Sequence, residues 1–126
     1  MMYLLDTCAL LWFMDDSSAL SQRAKDVIGK SETLYISIAA FWEIAIKKTI
    51  GKLDIAESVF EIRDICDNYG IVILPIKIEY LGRIQTLPRI HNDPFDRLMI
   101  ATALEENLPL ITHDSNIGKY DISTYW

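Results

Sequence analysis

Asp93-Pro94-Phe95-Asp96-Arg97-Leu98-Met99-Ile100-Ala101-Thr102-Ala103-Leu104-Glu105-Glu106-Asn107-Leu108-Pro109-Leu110-Ile111-Thr112-His113-Asp114 reads as one helix followed by one strand. Asp93 suits an N-cap and Pro94 the first helical position, while Asp96, three residues past the cap, complements the positive end of the helix dipole. Apolar residues recur at Phe95, Leu98, Met99, Ala103 and Leu104, near a 3.6-residue period, until Asn107 and Pro109 stop the helix. Leu108, Leu110 and Ile111 then predict a short buried strand ending at Thr112, His113 and Asp114. Acids therefore stand at two element ends, and open α/β sheets build their sites outside the carboxyl ends of strands.

The same pattern extends towards the N-terminus. Tyr3 to Leu5 is an apolar run that ends at Asp6, with Thr7 expected to cap a helix through Phe13. Ser21 is expected to open a second helix with Ala24, Val27 and Ile28 inward and Gly29 as its stop. Leu34 to Ile36 form the next strand, and Ser37 caps a helix from Ile38 to about Thr49, ended by Gly51. A helix is expected over Asp54 to Tyr69, a strand over Ile71 to Leu74, and a further helix from Ile78 to about Leu87. Tyr120 to Trp126 is a candidate for one more strand. Alternation of this kind demands right-handed crossovers and a parallel sheet covered on both faces. The expected fold is an α/β three-layer α/β/α sandwich with a central parallel sheet of four to five strands, one domain over residues 1–126.

Composition narrows the function classes. A formal charge of −6 opposes broad, non-specific nucleic-acid binding but leaves room for a local, metal-screened site. The apolar stretch Leu34 to Ile46 is too short for a membrane span, which needs about 20 residues. The apolar N-terminus lacks a basic leader and carries Asp6, so no signal peptide is expected. Cys8 and Cys66 have no metal-like spacing and suit a reducing compartment, the cytoplasm.

Asp6 follows the first strand, Asp96 opens the late helix and Asp114 follows the late strand, so a parallel sheet brings all three to one rim. Glu43 lies inside the helix after the second strand. It reads equally as a solvated acid paired with Lys47 or as a fourth acid leaning into the rim from an otherwise apolar helix. Carboxylates gathered without counter-charge either raise their pKa values or bind a hard divalent cation, for which Mg²⁺ or Mn²⁺ is the natural choice. Such an ion supports hydrolysis of nucleic-acid phosphodiesters. No Gly-rich phosphate loop, nucleophile elbow or dinucleotide fingerprint competes with that chemistry. His91 reads as a loop hydrogen-bond donor rather than a ligand, and Asp93 as a cap rather than a ligand.

Leu4-Leu5-Asp6-Thr7, Leu10-Leu11-Trp12, Trp42-Glu43 with Lys47 and Gly51-Lys52-Leu53, His91-Asn92-Asp93-Pro94-Phe95-Asp96-Arg97 followed by Ile100-Ala101 and Ala103, and Thr112-His113-Asp114 together resemble the PIN domain, specifically VapC-type toxins of toxin–antitoxin pairs. The resemblance covers almost the whole chain. It implies a Mg²⁺- or Mn²⁺-dependent endoribonuclease with acidic ligands at Asp6, Glu43, Asp96 and Asp114, an RNA substrate, a VapB-type antitoxin partner, and a homodimer within a toxin–antitoxin hetero-oligomer. One departure is Cys8, where relatives often carry His. Thr112 and Asn116 are candidates to orient carboxylates, and Lys47, Lys48, Lys52, Arg89 and Arg97 to hold an RNA backbone. A receiver-like phospho-acceptor module is disfavoured, because Asp6 stands alone, Leu74 is followed by Pro75, and no strand end offers the required Lys. An inactive PIN-like RNA-binding module is disfavoured by the intact acidic quartet.

Overall fold

The computed structural model describes residues 1–126. Five parallel strands, β1 (Met2–Leu5), β2 (Thr33–Ser37), β3 (Val72–Leu74), β4 (Leu110–Ile111) and β5 (Thr124–Tyr125), form one sheet in the order β3-β2-β1-β4-β5. Six helices connect them: α1 (Thr7–Met14), α2 (Gln22–Lys30), α3 (Ile38–Thr49), α4 (Val59–Asn68), α5 (Ile78–Ile84) and α6 (Pro94–Glu106). The expected three-layer arrangement is present, and the Tyr120–Trp126 segment supplies the fifth strand.

Side-chain alternation along the strands divides the core in two. Tyr3, Leu5, Ile36 and Ile111 pack with α1, α2, α4 and most of α3, through residues such as Leu10, Ala24, Ile44 and Ile62. Leu4 and Leu110 point the other way, towards Tyr80 of α5 and Leu98, Ile100 and Ala101 of α6. Helix α6 packs against both α5 and α3, and Ile100 and Ala101 are fully buried although its apolar period places them off the inner stripe. Asn107 ends this helix in the left-handed conformation, φ 56°, ahead of Pro109.

Register creates the functional rim. Leu5 lies opposite Ile36 on one side and Ile111 on the other, so the next residues, Asp6, Ser37 and Thr112, emerge along one edge. The Asp6 N–H donates to Ile111 O at 3.1 Å, continuing the ladder one step past the strand.

Three element boundaries differ from expectation for local reasons. Helix α1 is capped by Asp6 rather than Thr7: Asp6 is extended and its carboxylate accepts from the Ala9 N–H. Gly29 lies within α2 rather than ending it, and Ser31 is the C-cap. Helix α4 starts at Val59 rather than Asp54, because Ser58 and Glu61 form a reciprocal capping box. Ser58→Ala is expected to lower stability by about 1 kcal/mol. Denaturant titration checks this, and an unchanged midpoint would show that the box does not set the helix start.

Candidate active site

The rim gathers the four acids by different devices. Asp6 ends β1 and caps α1, its Oδ1 accepting from the Ala9 N–H at 2.7 Å. Burial pushes its carboxyl pKa up, opposed by hydrogen bonds from Thr112 and Ala9, with Glu43 and Asp114 adding repulsion. Glu43 reaches in from α3 with only 13% of its side chain exposed. Its Oε1 accepts from the Thr7 hydroxyl at 2.8 Å and its Oε2 from Lys47 Nζ at 2.7 Å. Glu43 therefore pairs with Lys47 as one reading expects, but it is largely buried rather than solvated and lines the cavity. Asp6, Thr7, Cys8, Glu43, Phe95 and Asp96 line a shared cavity of about 70 Å³.

Asp96 sits in the first turn of α6, where Asp93 performs the capping through a 3.0 Å hydrogen bond from the Asp96 N–H. Its own carboxylate is left free to face the rim. Burial, then the charges of Asp93, Glu43 and Asp114, push its pKa up to about 6 against the opposing influence of His91. Asp114 is held by its own turn, with its N–H donating to Thr112 Oγ1 at 3.1 Å and its Oδ1 accepting from the Asn116 N–H at 2.9 Å. Thr112 thus borders both Asp6 and Asp114, while Asn116 acts through its backbone.

His91 departs from the sequence reading. Its backbone N–H donates to the Tyr120 hydroxyl, as a loop donor would, but its ring enters the acidic cluster. Nε2 lies 3.0 Å from Asp114 Oδ2 and Nδ1 lies 3.9 Å from Asp96 Oδ2. Although close, Nε2 is buried and makes no aligned hydrogen bond. His91, Asp96 and Asp114 can each offer a donor atom within 4.8 Å of the others. The donor set, mostly carboxylate oxygen with one orphaned imidazole nitrogen, fits a divalent cation.

The basic candidates separate sharply. Arg97 is withdrawn from the surface: its guanidinium donates to the carbonyls of Ile84, Leu87, Pro88 and His91. Lys48 donates to Glu57 O, and Lys47 is held by Glu43. Lys52 and Arg89 are exposed and free of protein partners.

The sequence profile of the PIN domain matches residues 3–123. The chain belongs to the PIN domain family. PIN-fold structures similar to it include Mycobacterium tuberculosis VapC20, described as a Sarcin-Ricin loop cleaving toxin, with TM-score 0.69, 10% identity, and 97% of this chain and 96% of that one covered. VapBC-1 from nontypeable Haemophilus influenzae gives TM-score 0.68 and 19% identity, with coverage of 98% and 96%. A toxin–antitoxin complex from Klebsiella pneumoniae gives TM-score 0.64 and 19% identity, with coverage of 97% and 94%. No curated protein matches in sequence. Membership of the PIN family replaces the receiver-like reading, and no helix is long and apolar enough to cross a membrane.

The raised Asp96 pKa makes a prediction for the metal-free PIN domain. Its folded value near 6 exceeds the unfolded value of about 3.9, so the folded state binds more protons between those limits. Stability from this group therefore rises as pH falls from 7 to 5. Asp6 acts in the same direction. Metal-free protein is expected to melt higher at pH 5 than at pH 7, and Asp96→Asn to shrink that difference. A wild-type melting temperature lower at pH 5 than at pH 7 would contradict a raised carboxyl pKa from burial and neighbouring charge in this cluster.

Proposed function

We propose that this PIN domain is a Mg²⁺- or Mn²⁺-dependent endoribonuclease, the toxin of a VapBC-type pair, acting in the cytoplasm on RNA. The observation that carries the reading is the convergence of Asp6, Glu43, Asp96 and Asp114, from four separate elements, on one rim. A divalent cation held there would polarise the phosphodiester and lower the pKa of the attacking water. In this reading Asp6, Glu43, Asp96 and Asp114 would hold the ion, with Thr7 and Lys47 fixing the direction of the Glu43 carboxylate. Lys52 and Arg89, unpartnered and exposed, are the side chains available to hold the RNA backbone.

Control is proposed to come from a VapB-type antitoxin. An Arg or Lys from the partner would satisfy the carboxylates by charge-assisted hydrogen bonds. Among the aromatics of α1 and α3, Phe41 is core, Trp12 and Phe13 are half-buried, and Trp42 is exposed and packed edge-on against Phe95. Trp42 lies with Ile38 and Ile46 at four-residue spacing along α3, all exposed, which suits an amphipathic helix. A homodimer within the toxin–antitoxin assembly belongs to the same proposal.

Purified protein incubated with structured RNA, with Mn²⁺ or with chelator, tests the catalytic reading. Cleavage that requires the ion and disappears in Asp6→Asn supports it. RNA binding without cleavage under every divalent ion would instead identify an inactive binding module.

A further inference from the structure

The loop between α5 and α6 is held with a rigidity that its length alone does not require. Arg97 grips the carbonyls of Ile84, Leu87, Pro88 and His91 at 3.0–3.4 Å, so one guanidinium fixes the backbone before and at His91. Buried Tyr120 completes the mount. Its hydroxyl accepts from the His91 N–H and donates to Pro88 O, both at 2.9 Å, and its ring lies parallel to the imidazole at 7°. What this mount presents is an imidazole nitrogen, buried and without an aligned hydrogen bond, 3.0 Å from Asp114 Oδ2.

That separation discriminates between roles. A ring N–H satisfied by a carboxylate points along the N···O line, and this one does not. Two neighbouring ligands on one octahedral ion, each at about 2.1 Å, lie roughly 3 Å apart without facing one another. The Nε2–Asp114 pair has that separation and makes no aligned hydrogen bond. Asp96 Oδ2 lies 3.9 Å from Nδ1, and Asp96 can offer a donor atom within 4.8 Å of those of His91 and Asp114.

We propose that His91 Nε2 is a direct ligand of the metal ion held by the acidic cluster, adjacent to Asp114, and that it biases the site towards Mn²⁺ over Mg²⁺. Imidazole is a softer donor than carboxylate, and Mn²⁺, a transition ion, accepts a nitrogen ligand more readily than Mg²⁺, which prefers an all-oxygen shell with several waters. Arg97 and Tyr120 are positioning residues, acting through the loop rather than on the ion. The inference rests on the proposal that the acids bind a divalent cation, and its test separates the two.

Mn²⁺ is titrated into metal-free protein and the bound ion examined by pulsed electron paramagnetic resonance, which detects a directly coordinated ¹⁴N without any activity measurement. Wild type is expected to show that coupling. His91→Phe keeps a ring to stack on Tyr120 but removes both nitrogens. It is expected to lose the coupling and to bind Mn²⁺ about tenfold more weakly, with Mg²⁺ affinity changed much less. Mn²⁺ bound by wild type without nitrogen coupling overturns the His91 assignment and leaves the oxygen site standing. Equal weakening of both ions in His91→Phe overturns the metal preference. Failure of wild type to bind Mn²⁺ overturns the metal site and the inference together. The wild-type spectrum requires no variant, so misfolding of His91→Phe leaves the ligand assignment testable.

Discussion

Replacement of Asp114 by Asn is expected to reduce RNA cleavage by about a thousandfold or more, roughly 4 kcal/mol of transition-state stabilisation, with the fold intact. The asymmetry follows from the two carboxylate oxygens. Oδ1 accepts from the Asn116 N–H and shapes the turn, a bond that an Asn side-chain oxygen reproduces. Oδ2 faces His91 and the cluster, where an amide offers neither charge nor a strong ligand. Asp96→Asn should behave alike, since Asp93 rather than Asp96 caps α6. Cleavage assays at limiting Mn²⁺ alongside circular dichroism check both variants. Near-native cleavage by either would remove that residue from the ligand set.

Arg97→Ala is expected to lower stability by about 3 kcal/mol, because its charged hydrogen bonds satisfy four carbonyls of one loop. For a chain of this size that corresponds to a fall of roughly 10 °C in melting temperature. Arg97→Lys should recover only part of it, since a single ammonium cannot reproduce the planar fork. RNA affinity measured at a temperature where the variant is folded should not show the uniform loss expected of a phosphate contact. A fully stable Arg97→Ala with weakened RNA binding would return Arg97 to the surface role that its sequence context suggested.

The parallel sheet and most helices are readable from local pattern, because the short apolar runs before Asp6, Ser37 and Thr112 mark strands and Asp93-Pro94 is a strong helix start. The Ser58-x-x-Glu61 box was equally readable, and the apolar period of Ile55 drew the helix start too early. The cap of α1 is ambiguous in the sequence for a different reason. Both are good caps, and only the extension of the ladder past Leu5 makes Asp6 the residue with non-helical backbone.

The acids at strand ends were accessible because topology alone carries them to one edge. His91 was not, since spacing from Asp96 and Asp114 gives no ligand pattern and its orientation depends on Tyr120, far along the chain. Arg97 shows the matching difficulty for cations. Whether a guanidinium beside a site turns outward or folds back on loop carbonyls is decided by the path of that loop, which no periodicity encodes.

The strand order has a consequence for how this protein matures. Leu5 and Ile111 are paired neighbours at the centre of the sheet, yet stand about a hundred positions apart in the chain. Closing so large a loop costs more conformational entropy than the β1–β2 closure, so this ladder is expected to form after it. Before it forms, the β1–β2 half of the sheet brings together Asp6 and Glu43 only. Asp114 and the His91 mount arrive with the second half. The acids proposed to hold the ion therefore come together only once the β1–β4 pairing is made, so on that proposal metal capture reports completed folding.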